Sequence, residues 1–306
     1  MRYFGGKFRL APWIIQHFGG HRVYVESFGG AASVLMLKPR SYAEIYNELD
    51  DEVVNVFRVL RDRETGTELE RILRLTPFAR AEFEAAYQPA ELESVERARR
   101  TIVKAFMGFG SNAIQVRTAQ RRGFRTRIST VRPSTGFRAR ISTHEVRPPT
   151  GFRADSNRSG TTPASDWRNY FECLQRFIDR LQGVVIEQRS ALDVIRQFDR
   201  PDTLHYVDPP YPHSTRQDPR NDGYRFEMTD DQHRQMSSDL HAAAGLVVVS
   251  GYPCDLYDKE LFADWLRISR PARADRARAA TEVLWLNPRA ASALPQATLF
   301  SDAGGA

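Results

Sequence analysis

The segment "HYVDPPYP" at residues 205–212 ends an apolar stretch with an aspartate, two prolines and a tyrosine. Proline fixes φ and donates no backbone hydrogen bond, so a central strand cannot continue through Pro209 and Pro210. Asp208 is therefore expected at the carboxyl end of a strand, where open α/β sheets bind ligands. Its carboxylate and the Pro209 carbonyl could accept hydrogen bonds from an amino group on an aromatic ring, while Tyr211 stacks on that ring. The alternative is an ordinary turn with a core tyrosine, because Asp and Pro are common in turns.

A second candidate is "YVESFGGAASV" (24–34), which is typical of a strand, a glycine pair and the start of a helix. Gly29 and Gly30 would let the backbone approach a nucleotide closely. Glu26 at the strand end would repel a phosphate and attract a cation, such as the ammonium group of an amino acid. The segment is neither GxGxxG nor a P-loop, and a tight strand-to-helix turn would explain the same residues.

Two further segments hold residues that could contact a ligand. "YNELDD" (46–51) follows the next predicted strand, and an acid roughly 20 residues after the glycines commonly binds ribose hydroxyls. Glu48 is the predicted ribose ligand and Asp50 the alternative, although Asp50 also suits a helix N-cap. "YFGGK" (3–7) predicts an N-terminal turn that ends in Lys7, which a solvated lysine would also explain.

Strands and helices are predicted to alternate around these segments. Strands are expected at 22–27 and 42–47 and in "GVVIE", "TLHYV", "GLVVVS" and "EVLWL". Residues 64–108 are predicted to be mostly helical, with Thr76 capping a helix that has Pro77 at its first position. This pattern indicates an α/β fold, a Rossmann-like doubly wound sheet with an inserted, mainly helical region. The predicted boundaries are 1–63 and 165–291 for the sheet domain, 64–164 for the insert and 292–306 for a flexible tail.

The positive charge is concentrated in one part of the insert. The chain carries a net charge of +6, and residues 117–158 hold 11 arginines against two acids. This stretch repeats itself, because "RISTVRPSTGFRA" at 127–139 returns with two extra residues at 140–154. Its Ser, Thr, Pro and Gly residues give too little apolar surface to fold alone. The segment is therefore either a solvated loop or an arm that binds an anionic partner.

Composition excludes several classes of protein. No apolar run approaches the roughly 18 residues of a membrane helix, and the N-terminus lacks a signal-peptide core. A cytoplasmic protein is therefore expected. Cys173 and Cys254 lie far apart without metal-ligand spacing, so we expect them to be buried free thiols and expect no metal.

Taken in order, these segments resemble the Dam-like DNA adenine N6-methyltransferases, a family of amino-methyltransferases with an Asp-Pro-Pro-Tyr motif. The matching segments are "YFGGK", "YVESFGGAASV", "YNELDD", a target-recognition insert, "DPPY", "VVVSGYP" and "TEVLWLNP". The resemblance covers about 1–63 and 165–290. Ser27 stands where the family usually has Pro, Glu48 where it usually has Asp, and Ser190 near a position where Asp is common. The arginine repeats look like an expansion of the insert.

The resemblance implies S-adenosylmethionine as the cofactor, double-stranded DNA as the partner and a target adenine that is flipped out of the duplex. The implied catalytic residues are Asp208, Pro209, Pro210 and Tyr211. The implied cofactor contacts are Tyr3, Lys7, Glu26, Phe28, Gly29, Gly30, Glu48, Ser190 and Asp208. DNA phosphates would be contacted by Arg117, Arg121, Arg122, Arg125, Arg138 and Arg153. Such a protein could work with a cognate restriction nuclease, as a monomer or a dimer.

Two alternatives stay open. The nearer one is an amino-methyltransferase that acts on cytosine N4 or on RNA, because both substrates present an exocyclic amine. The other is a DNA-binding relative with little or no catalytic activity. The intact segment from Asp208 to Tyr211, together with Lys7, argues against the second alternative.

Overall fold

The computed structural model of the chain describes residues 6–108, 163–215, 224–273 and 279–294. Tyr3, the arginine repeats at 117–158 with their predicted DNA contacts, and residues 295–306 lie outside the described residues.

Seven strands form one sheet in the order β3-β2-β1-β4-β5-β7-β6. They are β1 Val23–Glu26, β2 Ala43–Asn47, β3 Val184–Glu187, β4 Thr203–Val207, β5 Leu246–Gly251, β6 Leu266–Arg273 and β7 Ala279–Leu286. Strands β1 to β5 are parallel, and β7 runs antiparallel to both of its neighbours. The predicted doubly wound, Rossmann-like sheet is confirmed, with one antiparallel strand inserted near an edge.

The direction of winding reverses between β1 and β4. The chain places β2 and β3 on one side of β1, and β4 and β5 on the other side. Glu26 at the end of β1 is in register with Tyr206 of β4, so Glu26 and Asp208 meet at the same carboxyl edge. Ligands bind at this kind of switch point in open α/β sheets.

Ten α-helices are described. They are α1 Ala11–Ile15, α2 Ser33–Leu37, α3 Asp51–Arg61, α4 Arg63–Leu75, α5 Arg80–Ala85, α6 Ser94–Met107, α7 Pro163–Leu181, α8 Ala191–Phe198, α9 Asp230–His241 and α10 Pro288–Ser292. Asp50 caps α3, because its side chain accepts a hydrogen bond from the Glu52 amide, and Thr229 caps α9 in a capping box. The Asp50 cap was predicted from the sequence. Along the described helices, none has the length and apolarity of a membrane span.

Thr76 ends a helix rather than starting one, so this predicted cap is wrong. The next helix, α5, begins only at Arg80. Thr76 has an extended backbone, and its hydroxyl donates to the Ile72 carbonyl at 2.8 Å. A residue before proline is kept out of the helical region, so Pro77 stops α4 at this point.

The described helices of the predicted insert share a core with the sheet domain. Leu69 of α4, Ile102 of α6 and Ile178 of α7 belong to one buried cluster with Val53 and Phe57 of α3. Polar contacts join the same helices, because the Thr101 hydroxyl donates to Glu52 at 2.8 Å. Burying apolar area against α3 is what stabilises these helices. A separate target-recognition domain over 64–164 stays a prediction.

Cys173 is exposed, so the prediction of a buried thiol at this position is wrong. Helix α7 buries Trp167, Phe171, Leu174 and Ile178, which recur at helical spacing on one face. Cys173 lies off this face. Cys254 is half-buried.

Candidate active site

A cavity of about 370 Å³ opens where β1, β2 and β4 end. Its lining contains most of the predicted site residues, namely Lys7, Glu26, Phe28, Gly29, Gly30, Glu48, Ser190, Asp208 and Pro210. Pro209 and Tyr211 are buried next to them. Five segments that are distant in the sequence therefore meet at one site.

The glycine turn after β1 is shaped by contacts with β2. A Cβ atom on Gly29 would collide with the Tyr46 ring, and Gly30 has a φ of 47°, in the left-handed region that favours glycine. The Tyr46 hydroxyl donates to the Gly30 carbonyl at 2.7 Å. Gly29 is thus required by the protein's own packing.

Glu48 is held against the glycine turn by backbone amides. Its Oε2 atom accepts from the Gly30 amide at 2.8 Å, and its Oε1 atom accepts from Leu49 at 2.8 Å and Asp50 at 3.1 Å. Burial raises the pKa of Glu48, and these amides oppose the rise. The Asp50 carboxylate caps α3 and also binds Arg225 at 3.0 Å. Glu48 and Asp50 both line the cavity, and Glu48 is bonded there only to backbone amides, whereas Asp50 is also paired with a charged side chain.

Glu26 is almost completely buried, with 2% of its surface exposed. Its Oε2 atom accepts from the Tyr24 hydroxyl at 2.8 Å and from the Leu35 amide at 2.9 Å. Burial raises the pKa of Glu26 to about 8, although both hydrogen bonds favour the ionised form. A cation bound in the cavity would strongly stabilise the ionised form of this carboxylate.

Asp208 lies in a cluster of charged groups at the tip of β4. The Lys7 Nζ atom is 3.2 Å from Asp208 Oδ1 and 3.0 Å from Glu282 Oε1. The Ser250 hydroxyl donates to Asp208 Oδ1 at 2.9 Å. Burial raises the pKa of Asp208 to about 6, with Lys7 opposing the rise and Glu282 adding to it. Burial alone would lower the pKa of Lys7, but the two carboxylates outweigh this effect and raise it.

The Tyr211 ring is buried, and its hydroxyl belongs to the same cluster. The hydroxyl donates to Glu282 Oε1 at 2.9 Å and accepts a hydrogen bond from Lys7. The Lys7 ammonium lies 4.6 Å from the ring centre, and Tyr252 packs edge-on at 4.7 Å. Tyr211 is thus partly a core tyrosine, as the ordinary-turn alternative expected, but its polar end lies among charged groups.

Residues 3–103 match the model of the D12 class N6 adenine-specific DNA methyltransferases. The match indicates an adenine-specific DNA methyltransferase, and the family resemblance predicted from the ordered motifs is confirmed. It includes Lys7, Glu26 and Glu48 and ends before the Asp-Pro-Pro-Tyr segment. A search among curated proteins found no match to the chain.

Two polar residues of the candidate site were missed in the sequence. Glu282 lies on β7 and Ser250 on β5, and both contact the cluster around Lys7 and Asp208. Glu282 stands in the apolar segment "TEVLWLNP", and a carboxylate inside a buried strand is a signal that could have been used. Ser250 gives no comparable signal.

The wall of the cavity formed by residues 224–228 was also missed. Arg225 bonds to Asp50 and Asp51 at 3.0 Å each, which ties this segment to the start of α3. Phe226 and Met228 line the cavity from the same segment. Nothing in the local sequence indicates that Arg225 would cross to α3, because that contact depends on the tertiary fold.

Proposed function

We propose that this methyltransferase moves a methyl group from S-adenosylmethionine to N6 of an adenine in double-stranded DNA. The observation that carries the proposal is the meeting of Asp208, Lys7 and Tyr211 beside a cavity lined by Glu26 and Glu48. Adenine methylation of DNA follows from the family match. The cofactor, the flipped base and the roles of individual residues are the proposed part.

The cavity has the chemistry that this cofactor needs. Glu26 would bind the ammonium group of the methionine part, and Glu48 would accept from the ribose hydroxyls. Apolar side chains for an adenine ring come from Phe28, Leu192 and Phe226. A carboxylate-lined cavity favours a cationic ligand over a phosphate-bearing one. When bound, the cofactor supplies a methyl group on a sulfonium that already carries the positive charge of the leaving group. Within the described residues, no group of acidic, His or Cys side chains is arranged for a metal.

Asp208 and the Pro209 carbonyl would orient the target amine. Both accept hydrogen bonds, so they would hold the two N–H groups of N6 and point its lone pair at the methyl group. A transfer of this kind depends mainly on positioning. The amine loses one proton on methylation, and Asp208, whose pKa burial raises to about 6, is suited to accept it.

The target adenine would have to leave the duplex, which costs a few kcal/mol. Stacking on Tyr211 would offset part of that cost. The Lys7 ammonium lies 4.6 Å from the centre of the Tyr211 ring and bonds to its hydroxyl, which would hold the ring in place for stacking.

Methylation profiling would test the proposal in cells. The chain is expressed in a host that lacks adenine methylation, and the genomic DNA is read for N6-methyladenine. We expect methylation at one short recognition sequence, and none with Asp208→Ala. Methyl groups on cytosine N4 would favour the cytosine alternative. Unmodified DNA from well-expressed protein would contradict the proposal.

A further inference from the structure

Glu282 connects the two groups that border Asp208. Its Oε1 atom lies 3.0 Å from the Lys7 ammonium and accepts from the Tyr211 hydroxyl at 2.9 Å. The residue is 2% exposed and comes from β7, a strand antiparallel to the parallel core of the sheet. A single carboxylate oxygen thus joins the N-terminal turn and the segment after β4.

We propose that Glu282 is a positioning residue for methyl transfer, which fixes Lys7 and Tyr211 and through them the Asp208 carboxylate. The proposal rests on the proposed function, because it assigns a residue to that same site. Glu282 does not need to touch the substrate for this role. It acts through the Lys7 ammonium, which it shares with Asp208 at 3.0 and 3.2 Å.

The charges explain why a carboxylate stands at this position. Without Glu282, Lys7 would face Asp208 alone, and the ammonium would pull Asp208 toward a tighter ion pair. With two carboxylates sharing one ammonium, Asp208 is held less strongly and remains a better acceptor for the amine. Glu282 also gives the Tyr211 hydroxyl an acceptor, which a buried phenol needs.

This arrangement has a consequence for pH. Glu282 opposes ionisation of Asp208, so removing its charge should lower the pKa of Asp208. Lys7, released from its second partner, would shift that pKa in the same direction. The other titratable groups around Asp208 are Glu26, Tyr206, Tyr211 and Tyr257. The substitution at Glu282 leaves all of these groups in place.

Two substitutions at Glu282 distinguish the effect of its contacts from the effect of its charge. Glu282→Leu removes both contacts, and we expect the single-turnover rate of methyl transfer to fall by about 10²-fold, the scale for a misplaced catalytic group. Glu282→Gln keeps an acceptor oxygen for Lys7 and Tyr211 but removes the charge. Glu282→Gln should therefore have a rate much closer to that of the wild type than Glu282→Leu has. The acidic limb of its pH–rate profile should move to lower pH. Affinity for S-adenosylmethionine should stay near that of the wild type in both variants, because Glu26 and Glu48 are untouched.

Glu44→Gln is the matched control. Glu44 is also buried, at 3% exposed, and it binds Lys38 at 2.7 Å and Arg180 at 2.6 Å away from the cavity. This variant should lower thermal stability without changing the pH profile. If Glu282 were only structural, Glu282→Gln would behave in the same way.

The pKa of Asp208 can also be measured directly, by a titration that does not depend on methyl transfer. The protein is labelled with ¹³C at its aspartate carboxyl groups, and the Asp208 signal is identified by its absence in Asp208→Ala. A lower pKa of Asp208 in Glu282→Gln, but not in Glu44→Gln, supports the proposal. Equal titrations in the two variants, or a wild-type rate in Glu282→Leu, would overturn it. An inactive wild type would instead refute the proposed function, while the titration still decides whether Glu282 controls Asp208.

Discussion

The Nζ atom of Lys7 lies 3.2 Å from Oδ1 of Asp208, with the two side chains 7% and 16% exposed. Lys7 is anchored beside α1, because its carbonyl accepts hydrogen bonds from the Leu10 and Ala11 amides. The N-terminal turn is thereby closed against the tip of β4. Because the pair is nearly buried, loss of one partner leaves the other charge poorly compensated.

Lys7→Met should therefore affect both stability and chemistry. Breaking a buried ion pair costs about 3–5 kcal/mol, so we expect a clearly lower midpoint of thermal unfolding. The ammonium lowers the pKa of Asp208, so its removal should raise that pKa above about 6 and protonate part of Asp208 at neutral pH. The acidic limb of the rate profile should then move to higher pH. A profile that stays in place would show that Lys7 does not control Asp208.

Asp208 should act in methyl transfer, and Glu26 should act in cofactor binding. Asp208→Ala should abolish transfer and leave affinity for S-adenosylmethionine nearly intact. Glu26→Gln keeps acceptors for Tyr24 and Leu35 but loses the charge, so it should weaken cofactor binding first. Calorimetry measures the affinities, and labelled cofactor measures the transfer. Cofactor binding that disappears in Asp208→Ala and persists in Glu26→Gln would reverse these roles.

Cofactor affinity should also depend on pH through Glu26. Burial raises the pKa of Glu26 to about 8, so the cofactor-free protein holds a proton there at neutral pH. A bound cation favours the carboxylate, and binding then releases this proton. Affinity should rise from pH 6 to pH 8. Calorimetry in buffers of different ionisation enthalpy counts the released proton, and Glu26→Gln should flatten the dependence. A wild-type affinity that falls as pH rises over this range would contradict the assignment.

The sequence was sufficient to predict the sheet and the position of Asp208, because strand periodicity and the double proline are local signals. It did not predict β6, whose segment "LRISRPAR" has three arginines and a proline. That composition is tolerated because β6 lies at the edge of the sheet, where β7 is its single partner among the described strands. Arg225 was missed for a different reason. Its partners lie in a distant segment, and local patterns carry no information about such contacts. For Glu282, the apolar strand around the carboxylate indicates burial, but its partners Lys7 and Tyr211 are known only from the fold.

The arginine repeats, which lie outside the described residues, give a prediction about DNA binding. If they neutralise phosphates, deleting residues 127–139 should weaken binding to all sequences and leave the recognition site unchanged. For every phosphate that the shortened protein no longer neutralises, the slope of log K against log salt should become shallower by about 0.9. The matched control keeps the full chain length and replaces three arginines of this unit with glutamine, at Arg127, Arg132 and Arg138. Its affinity for DNA should fall by a factor similar to that of the deletion. A changed recognition site with an unchanged salt slope would mean that the repeats read bases.

The central claim is tested most directly by methyl transfer with purified protein. S-adenosylmethionine with a labelled methyl group is incubated with double-stranded DNA that covers all short sites, and the DNA is digested to nucleosides. The account predicts label in N6-methyladenine from the wild type and none from Asp208→Ala. Label in N4-methylcytosine, or no labelled nucleoside at all from folded protein that binds the cofactor, would contradict it.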